Sequence, residues 1–181
     1  MDTAKPQLVK RIAIVGPECT GKTVLSKALA ARYQTVWVPE FARMYIDRLN
    51  RPYNQSDLLT IAHGQLESEK QLATQANRLL VCDTNLIVIK VWSEFKYGTC
   101  DMQILNLLAA QYYDYYFLTD VDVPWEDDPQ REHPDKREYF FNVYRNELMQ
   151  LRVPFITISG NLQQRLQQAT SVIDLLLSDK R

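Results

Sequence analysis

A three-layer α/β fold built on a five-stranded parallel sheet is predicted by three observations. In IAIVGPECTGKTVLSKALA, residues 12–30, an apolar run gives way to a glycine-bounded loop and then to residues at helical spacing. Short apolar runs recur along the chain with longer amphipathic stretches between them, the pattern of a parallel sheet covered on both faces. One stretch, TDVDVPWEDDPQREHPDKRE at 119–138, belongs to neither kind: three prolines disfavour continuous helix, and eight acids with three basic residues are too polar for a core. An excursion of that length in a compact domain is usually functional or disordered, with a solvated surface loop as the plain alternative; beside a phosphate loop it reads as a lid over about residues 119–138. At 181 residues the chain is long enough for a single domain with a full core, residues 1–181.

Strands are expected at 11–15, 35–38, 79–82, 115–118 and 155–158, each a short apolar run. The first helix, 24–33, places Leu25, Ala28, Leu29 and Arg32 at helical spacing. A long polar helix follows the second strand at 56–76, with Leu59, Ala62, Leu66, Ala73 and Ala76 near one face and Ser56 as N-cap. Further helices are expected at 86–95 and 102–111. The last, 162–177, carries Leu162, Leu166, Ala169, Ile173 and Leu177 on one stripe.

Composition narrows the function classes. A net charge of −1 lacks the basic excess of a protein that wraps nucleic acid. Cys19, Cys82 and Cys100 form no C-x-x-C pair and cannot all be paired within one chain, which fits a reducing cytoplasm. The opening MDTAKPQLVKR lacks the apolar stretch of a secretory leader, and no segment has the length of a membrane span. The expected partner is a small molecule, with neither nucleic acid nor membrane. Assembly of identical chains is left open.

The spacing Gly16, Gly21, Lys22, Thr23 fits G-x-x-x-x-G-K-[ST]. In that motif bare backbone N–H groups wrap a di- or triphosphate, the lysine reaches the terminal phosphates, and the hydroxyl ligates magnesium. The contacts assigned to the nucleotide are Gly16, Pro17, Glu18, Cys19, Thr20, Gly21, Lys22, Thr23 and Val24, with ATP and Mg²⁺ as the implied pair. Ligands of open α/β sheets sit beyond the carboxyl ends of the strands, and three acids stand there. Asp83 follows LLVC, where it can hold the metal beside Thr23 or cap the next helix. Glu40 ends the second strand in WVPEFAR; it can accept or orient an acceptor hydroxyl, or favour the dipole of the helix it opens. Asp120 reads as a structural turn acid. Which of Glu40 and Asp83 is the base stays open. Transfer also needs mobile positive charge, and the excursion supplies Arg131 and Arg137, with Arg131 the first candidate.

The segments GPECTGKTVL, PEFAR, CDTN and above all VPWEDDPQREHPDKR resemble the ribosylnicotinamide kinase domain of the bacterial NadR family over nearly the whole chain. Trp125, Asp127 and Asp128 followed by Arg131 make the resemblance specific, where the phosphate-loop motif alone indicates only a P-loop NTPase. The resemblance implies a nucleoside-kinase-like P-loop fold that moves the ATP γ-phosphate to the 5′-hydroxyl of nicotinamide riboside, giving nicotinamide mononucleotide in NAD salvage. It carries over the phosphate loop, Glu40 and Arg43 after the second strand, Asp83 after the third, and residues 125–131 in the lid. Pro129 stands where the family often has Gly, and Asn85 where it often has Asp. NadR proteins usually add an adenylyltransferase domain with a His-x-x-His pair, and often an N-terminal helix-turn-helix. With only His63 and His133, and with the loop starting at Gly16, neither is expected here.

A pyridinium nucleoside calls for an aromatic face and nearby carboxylates. Trp125 beside Asp127 and Asp128 meets that description, while Trp92 and Tyr97 read as packing residues. Two rivals remain at this level. A deoxynucleoside or nucleoside monophosphate kinase would use Arg43, Arg48 and Arg51 on an anionic acceptor, and a P-loop ATPase would act as a regulatory switch.

Overall fold

The structure, a computed structural model, describes residues 9–178. The opening segment read as lacking a leader therefore lies, for residues 1–8, outside the described residues. The strands are β1 (Lys10–Val15), β2 (Trp37–Val38), β3 (Leu79–Asp83), β4 (Tyr115–Thr119) and β5 (Phe155–Ile158). The helices are α1 (Lys22–Arg32), α2 (Phe41–Arg48), α3 (Gln55–Ala73), α4 (Leu86–Tyr97), α5 (Met102–Ala110), α6 (Arg137–Leu151) and α7 (Leu162–Ser178), with a 3₁₀ turn at Pro134–Lys136.

All strand pairs are parallel, in the order β2-β3-β1-β4-β5. The predicted five-stranded sheet is therefore present, with β1 at its centre. Alternation along β1 divides the core. Ala13 and Val15 face a layer built on α2 to α6, including Leu58, Ile61, Leu86, Ile87, Ile104, Tyr144 and Leu148. Ile12 and Ile14 face α1 and α7 through Leu25, Leu29, Ala169 and Ile173. These β1 side chains are fully buried, and burial of each large aliphatic contributes about 1.5–3 kcal/mol. Because every strand runs the same way, Val15, Val38, Asp83, Thr119 and Ile158 all end at one edge of the sheet.

Several elements differ from the sequence reading. Asn54, not Ser56, caps α3: its side chain accepts the Ser56 N–H, and Asp57 answers from the third position in a capping box. The inward stripe of α3 is Leu58, Ile61, Ala62, Gln65 and Glu69, one residue out of phase with the predicted apolar face, because this helix buries three polar side chains, Asp57, Gln65 and Glu69. On α7, Leu162 is 41% exposed and Arg165 takes the inward position. Helix α6 has no counterpart in the predicted elements. It takes over Arg137 and Glu138 from the expected lid, and Thr119 completes β4, so the irregular part of the lid runs from 120 to 133.

Candidate active site

The loop between β1 and α1 is shaped by its glycines and pinned from below. Gly16 has φ +145° and lies so close to Thr119 that a Cβ would overlap the threonine hydroxyl. The buried Thr20 hydroxyl donates to the Pro17 carbonyl at 2.8 Å and shares a 2.7 Å hydrogen bond with Thr119. Gly21, left-handed at φ +79°, precedes α1 without a side-chain cap, so the first N–H groups of that helix remain for an anion. Lys22 lies over the loop, its Nζ donating to the carbonyls of Gly16 and Pro17 at 3.0 and 2.6 Å. Beneath the loop Arg165, 3% exposed, donates to the Thr20 carbonyl at 2.6 Å and the Gly160 carbonyl at 2.7 Å, and pairs with Asp122. A guanidinium on the carbonyl side of the loop favours the orientation that turns its N–H groups the other way.

Asp83 and Thr23 meet at the head of β3. The Thr23 hydroxyl donates to Asp83 Oδ2 at 2.5 Å, while the buried Oδ1 has no partner. Burial raises the Asp83 pKa, opposed by the Thr23 hydrogen bond and by the charge of Lys22. The next residue, Thr84, is a buried β-branched residue at φ +73°, a costly conformation that turns the chain sharply after the carboxylate. Asn85 caps α4, accepting the Ile87 N–H at 3.1 Å, so Asp83 is not spent as a cap. A partnerless carboxylate oxygen beside a hydroxyl is a donor pair suited to a hard, oxygen-seeking cation. Among the described residues no cluster of three His, Cys, Asp or Glu forms an all-protein metal cage.

Glu40 stands at the N-cap position of α2 but makes no cap hydrogen bond with its side chain. Desolvation raises its pKa, held back by Lys22 and reinforced by Asp83 and Glu18. The backbone at this corner is fixed from α3: Gln65 Oε1 accepts the Phe41 N–H at 2.9 Å, and the Phe41 ring fills the space beside Gly64.

The lid lies against this floor. The Glu126 N–H donates to Cys19 Sγ at 3.1 Å, and Glu18 Oε2 accepts the N–H groups of Glu132 and His133 at 3.0 and 3.3 Å. Arg131 contacts Cys19 Sγ at 3.2 Å and the Glu126 carbonyl; Arg137 donates to the carbonyls of Cys19 and Val123 at 3.2 and 2.8 Å. Asp128 pairs with Arg43, and these contacts, with the Gln130 N–H, lower its pKa. Asp120 makes local contacts, its Oδ1 accepting the Val121 N–H at 2.8 Å.

A cavity of about 830 Å³ runs from the phosphate loop, residues 16–24, past Glu40 and Arg43 to a wall of Tyr53, Trp92, Phe95, Phe140 and Tyr144. Arg131 and Arg165 line it as well, with Gly160, Asn161 and Leu162 of the β5–α7 turn. A second hollow of about 380 Å³ lies across the Thr23, Glu40, Arg43 and Asp83 wall. Trp125, Asp127, Asp128 and Arg137 do not line the large cavity. The Trp125 ring instead has the guanidinium carbons of Arg131 and Arg137 at 5.9 and 5.8 Å, and its Nε1 donates to Asp127 at 2.9 Å. Trp92, expected only to pack, forms part of the wall and donates to the Tyr53 hydroxyl at 2.9 Å. Sequence reasoning missed Tyr53, Phe95 and Arg165. For Arg165 a signal existed: a charge four residues before Ala169 on the apolar side of α7.

The family model described as AAA domain matches residues 11–165. The chain is 24% identical over 163 residues to the trifunctional NAD biosynthesis/regulator protein NadR of Salmonella typhimurium, across 85% of this chain and 39% of that protein. With the protein of the same name from Escherichia coli K12 it shares 23% identity over 188 residues, across 98% of this chain and 45% of the relative. A solved structure of NadR protein in complex with NR superposes with TM-score 0.80 at 19% identity, covering 95% of this chain and 52% of that one. The chain thus spans about half or less of the length of these relatives, and the structural likeness establishes the shared fold.

Proposed function

The chain belongs to the AAA-domain family, and from that premise together with the site geometry we propose that it transfers the γ-phosphate of ATP to the 5′-hydroxyl of nicotinamide riboside, forming nicotinamide mononucleotide. The observation that carries the reading is the single cavity that joins the phosphate loop to an aromatic wall, with Glu40 on its surface. NadR of two enterobacteria is a relative over most of this chain, and the NR of the related solved structure is this nucleoside.

Each residue has a role that its position allows. Backbone N–H groups of residues 16–21 and the start of α1 bind the β- and γ-phosphates, and Lys22 swings from the Gly16 and Pro17 carbonyls onto them. Thr23 and Asp83 fit Mg²⁺, whose charge, when bound, neutralises the phosphate oxygens. Glu40 orients the acceptor hydroxyl and takes its proton, a task suited to a carboxylate whose pKa is raised by burial. Arg131, on the cavity wall, brings positive charge over the transferring group, while Arg137 supports the loop and the lid through the Cys19 and Val123 carbonyls. The pyridinium rests against the Trp92 side of the aromatic wall, since the Tyr53 ring carries Lys96 Nζ at 3.7 Å, and Glu40 on the same cavity supplies negative charge. Trp125 and Asp128 serve the acceptor from a distance, Trp125 by stacking under the lid arginines and Asp128 by holding Arg43. The reducing cytoplasm is the proposed setting, a reading supported by three cysteines without C-x-x-C spacing.

The test is an ATP-consumption assay with nicotinamide riboside, nicotinamide mononucleotide, thymidine, or no acceptor. Stimulation by nicotinamide riboside well above the other three supports the reading. A rate independent of acceptor identifies an ATPase switch, and preference for the mononucleotide or thymidine moves the assignment to the other kinase class.

A further inference from the structure

A phosphate loop that carries an acid poses a problem. Glu18 lies between Gly16 and Gly21 in a loop built to receive polyanions, and its charge also opposes ionisation of Glu40. Nothing in phosphate binding calls for a carboxylate there. Its partners lie instead in the lid: one oxygen, Oε2, accepts two consecutive backbone N–H groups, those of Glu132 and His133. Charge-assisted hydrogen bonds of this kind are stronger than neutral ones. The neighbouring Cys19 holds the Glu126 N–H and the Arg131 guanidinium. The side chains at these two consecutive positions, with no place in the motif's own phosphate chemistry, hook the middle and the C-terminal end of the lid onto the loop.

We infer that Glu18 is a positioning residue that latches the lid onto the phosphate loop and thereby determines whether the γ-phosphate goes to the acceptor or to water. This rests on the kinase reading above. With the latch made, residues 126–133 stand over the loop and Arg131 is held at its rim. Without it the lid loses its attachment at 132–133, and water reaches the phosphate. Phosphorus then bonds to a water oxygen as the bond to the β,γ-bridging oxygen breaks, yielding ADP and inorganic phosphate instead of ADP and a phosphate ester. A closed site suppresses that reaction by excluding water.

The test compares the wild-type chain with Glu18→Ala and Glu18→Gln, each at saturating ATP and magnesium. Inorganic phosphate release without acceptor and ester formation with nicotinamide riboside are measured separately. The ratio of hydrolysis to transfer should rise at least about tenfold in Glu18→Ala, which loses two charged hydrogen bonds, and return most of the way in Glu18→Gln, whose amide oxygen still accepts. A second readout needs no activity: trypsin should cut after Arg131 and Lys136 faster in Glu18→Ala than in wild type. If hydrolysis and transfer fall together at constant ratio, or the lid is cut equally fast in both proteins, the latch is overturned. Absence of acceptor-dependent transfer in the wild type would sink the kinase reading alone, and the trypsin comparison would still decide the latch.

Discussion

The phosphate loop and the lid face each other across one cavity and are held by different physics. Gly16 and Thr20 are buried, and the loop is fixed by backbone geometry that only glycine tolerates and by buried bonds to Thr119 and Arg165. The lid, from 120 to 133, has no regular structure, with Glu126, Asp127 and Pro129 exposed. It is secured by separate polar contacts to Glu18, Cys19 and Arg43, each worth a modest amount. Under the proposed function the contrast divides the roles: the rigid end would supply the chemistry, and the detachable end would decide which molecule receives the phosphate.

Lys22→Ala probes the rigid end and should give the largest effect. Removing the cation that follows the β- and γ-phosphates should lower kcat at least about a hundredfold while the fold survives. Retention of more than about a tenth of wild-type kcat, a loss of under 1.4 kcal/mol, breaks the assignment. Asp83→Asn should raise the magnesium needed for half-maximal activity about tenfold or more. It should also raise the thermal midpoint in metal-free buffer. Burial raises the Asp83 pKa, so at neutral pH its ionised form costs stability, and the amide removes that cost. An unchanged metal titration would leave Asp83 without a metal role.

The two tryptophans sharpen the comparison. Trp92→Ala, in the cavity wall, should raise KM for nicotinamide riboside roughly twofold to thirtyfold with ATP affinity nearly unchanged, the scale of a cation–π contact. Trp125→Ala removes the platform under Arg131 and Arg137 and should act mainly on kcat, for charged and neutral acceptors alike. If Trp125→Ala instead raises KM selectively for the cationic acceptor, Trp125 itself reads the charge and the lid has a second closed arrangement.

The smallest effect on catalysis is expected far from both regions. Glu69 is buried on α3, with the Tyr113 hydroxyl donating to its two oxygens at 2.8 and 2.9 Å, and burial pushes its pKa up to about 7. Between about pH 4.5 and 7 the folded state keeps a proton that the unfolded chain has lost, so stability falls as pH rises through that window. The loss is on the order of 2 to 3 kcal/mol. In Glu69→Gln, urea titrations at pH 5 and 8 should show a flatter dependence, with kcat unchanged. An identical slope in wild type and variant would exclude Glu69 as its source.

What the sequence reveals follows the same division. The sheet and the phosphate loop are legible because each depends on local pattern, an apolar run and glycines at fixed spacing; of the acids, Asp83 ends β3 and Asp120 directly follows β4, while Glu40 stands two residues beyond β2. Trp125 among acids reads locally as a ligand platform, and the ring sits with arginines 6 and 12 residues further along, a contact that local pattern does not show. The Tyr53 and Trp92 wall depends on contact between segments 39 residues apart, and the Glu18 latch on a separation of 114. Helix α6 goes unread because it starts directly out of the proline-rich lid. The burial of Gln65, Glu69 and Arg165 defeats an apolar-stripe reading for a related reason: tertiary hydrogen bonds stabilise polar groups that the pattern assigns to solvent.

The account as a whole is tested most directly by following ³¹P resonances while the protein acts on ATP, magnesium and nicotinamide riboside. It predicts a phosphate monoester signal that grows one-for-one with ADP, with little inorganic phosphate, and almost no ATP loss when the nucleoside is omitted. Inorganic phosphate as the sole product, appearing at the same rate with and without the nucleoside, would contradict it.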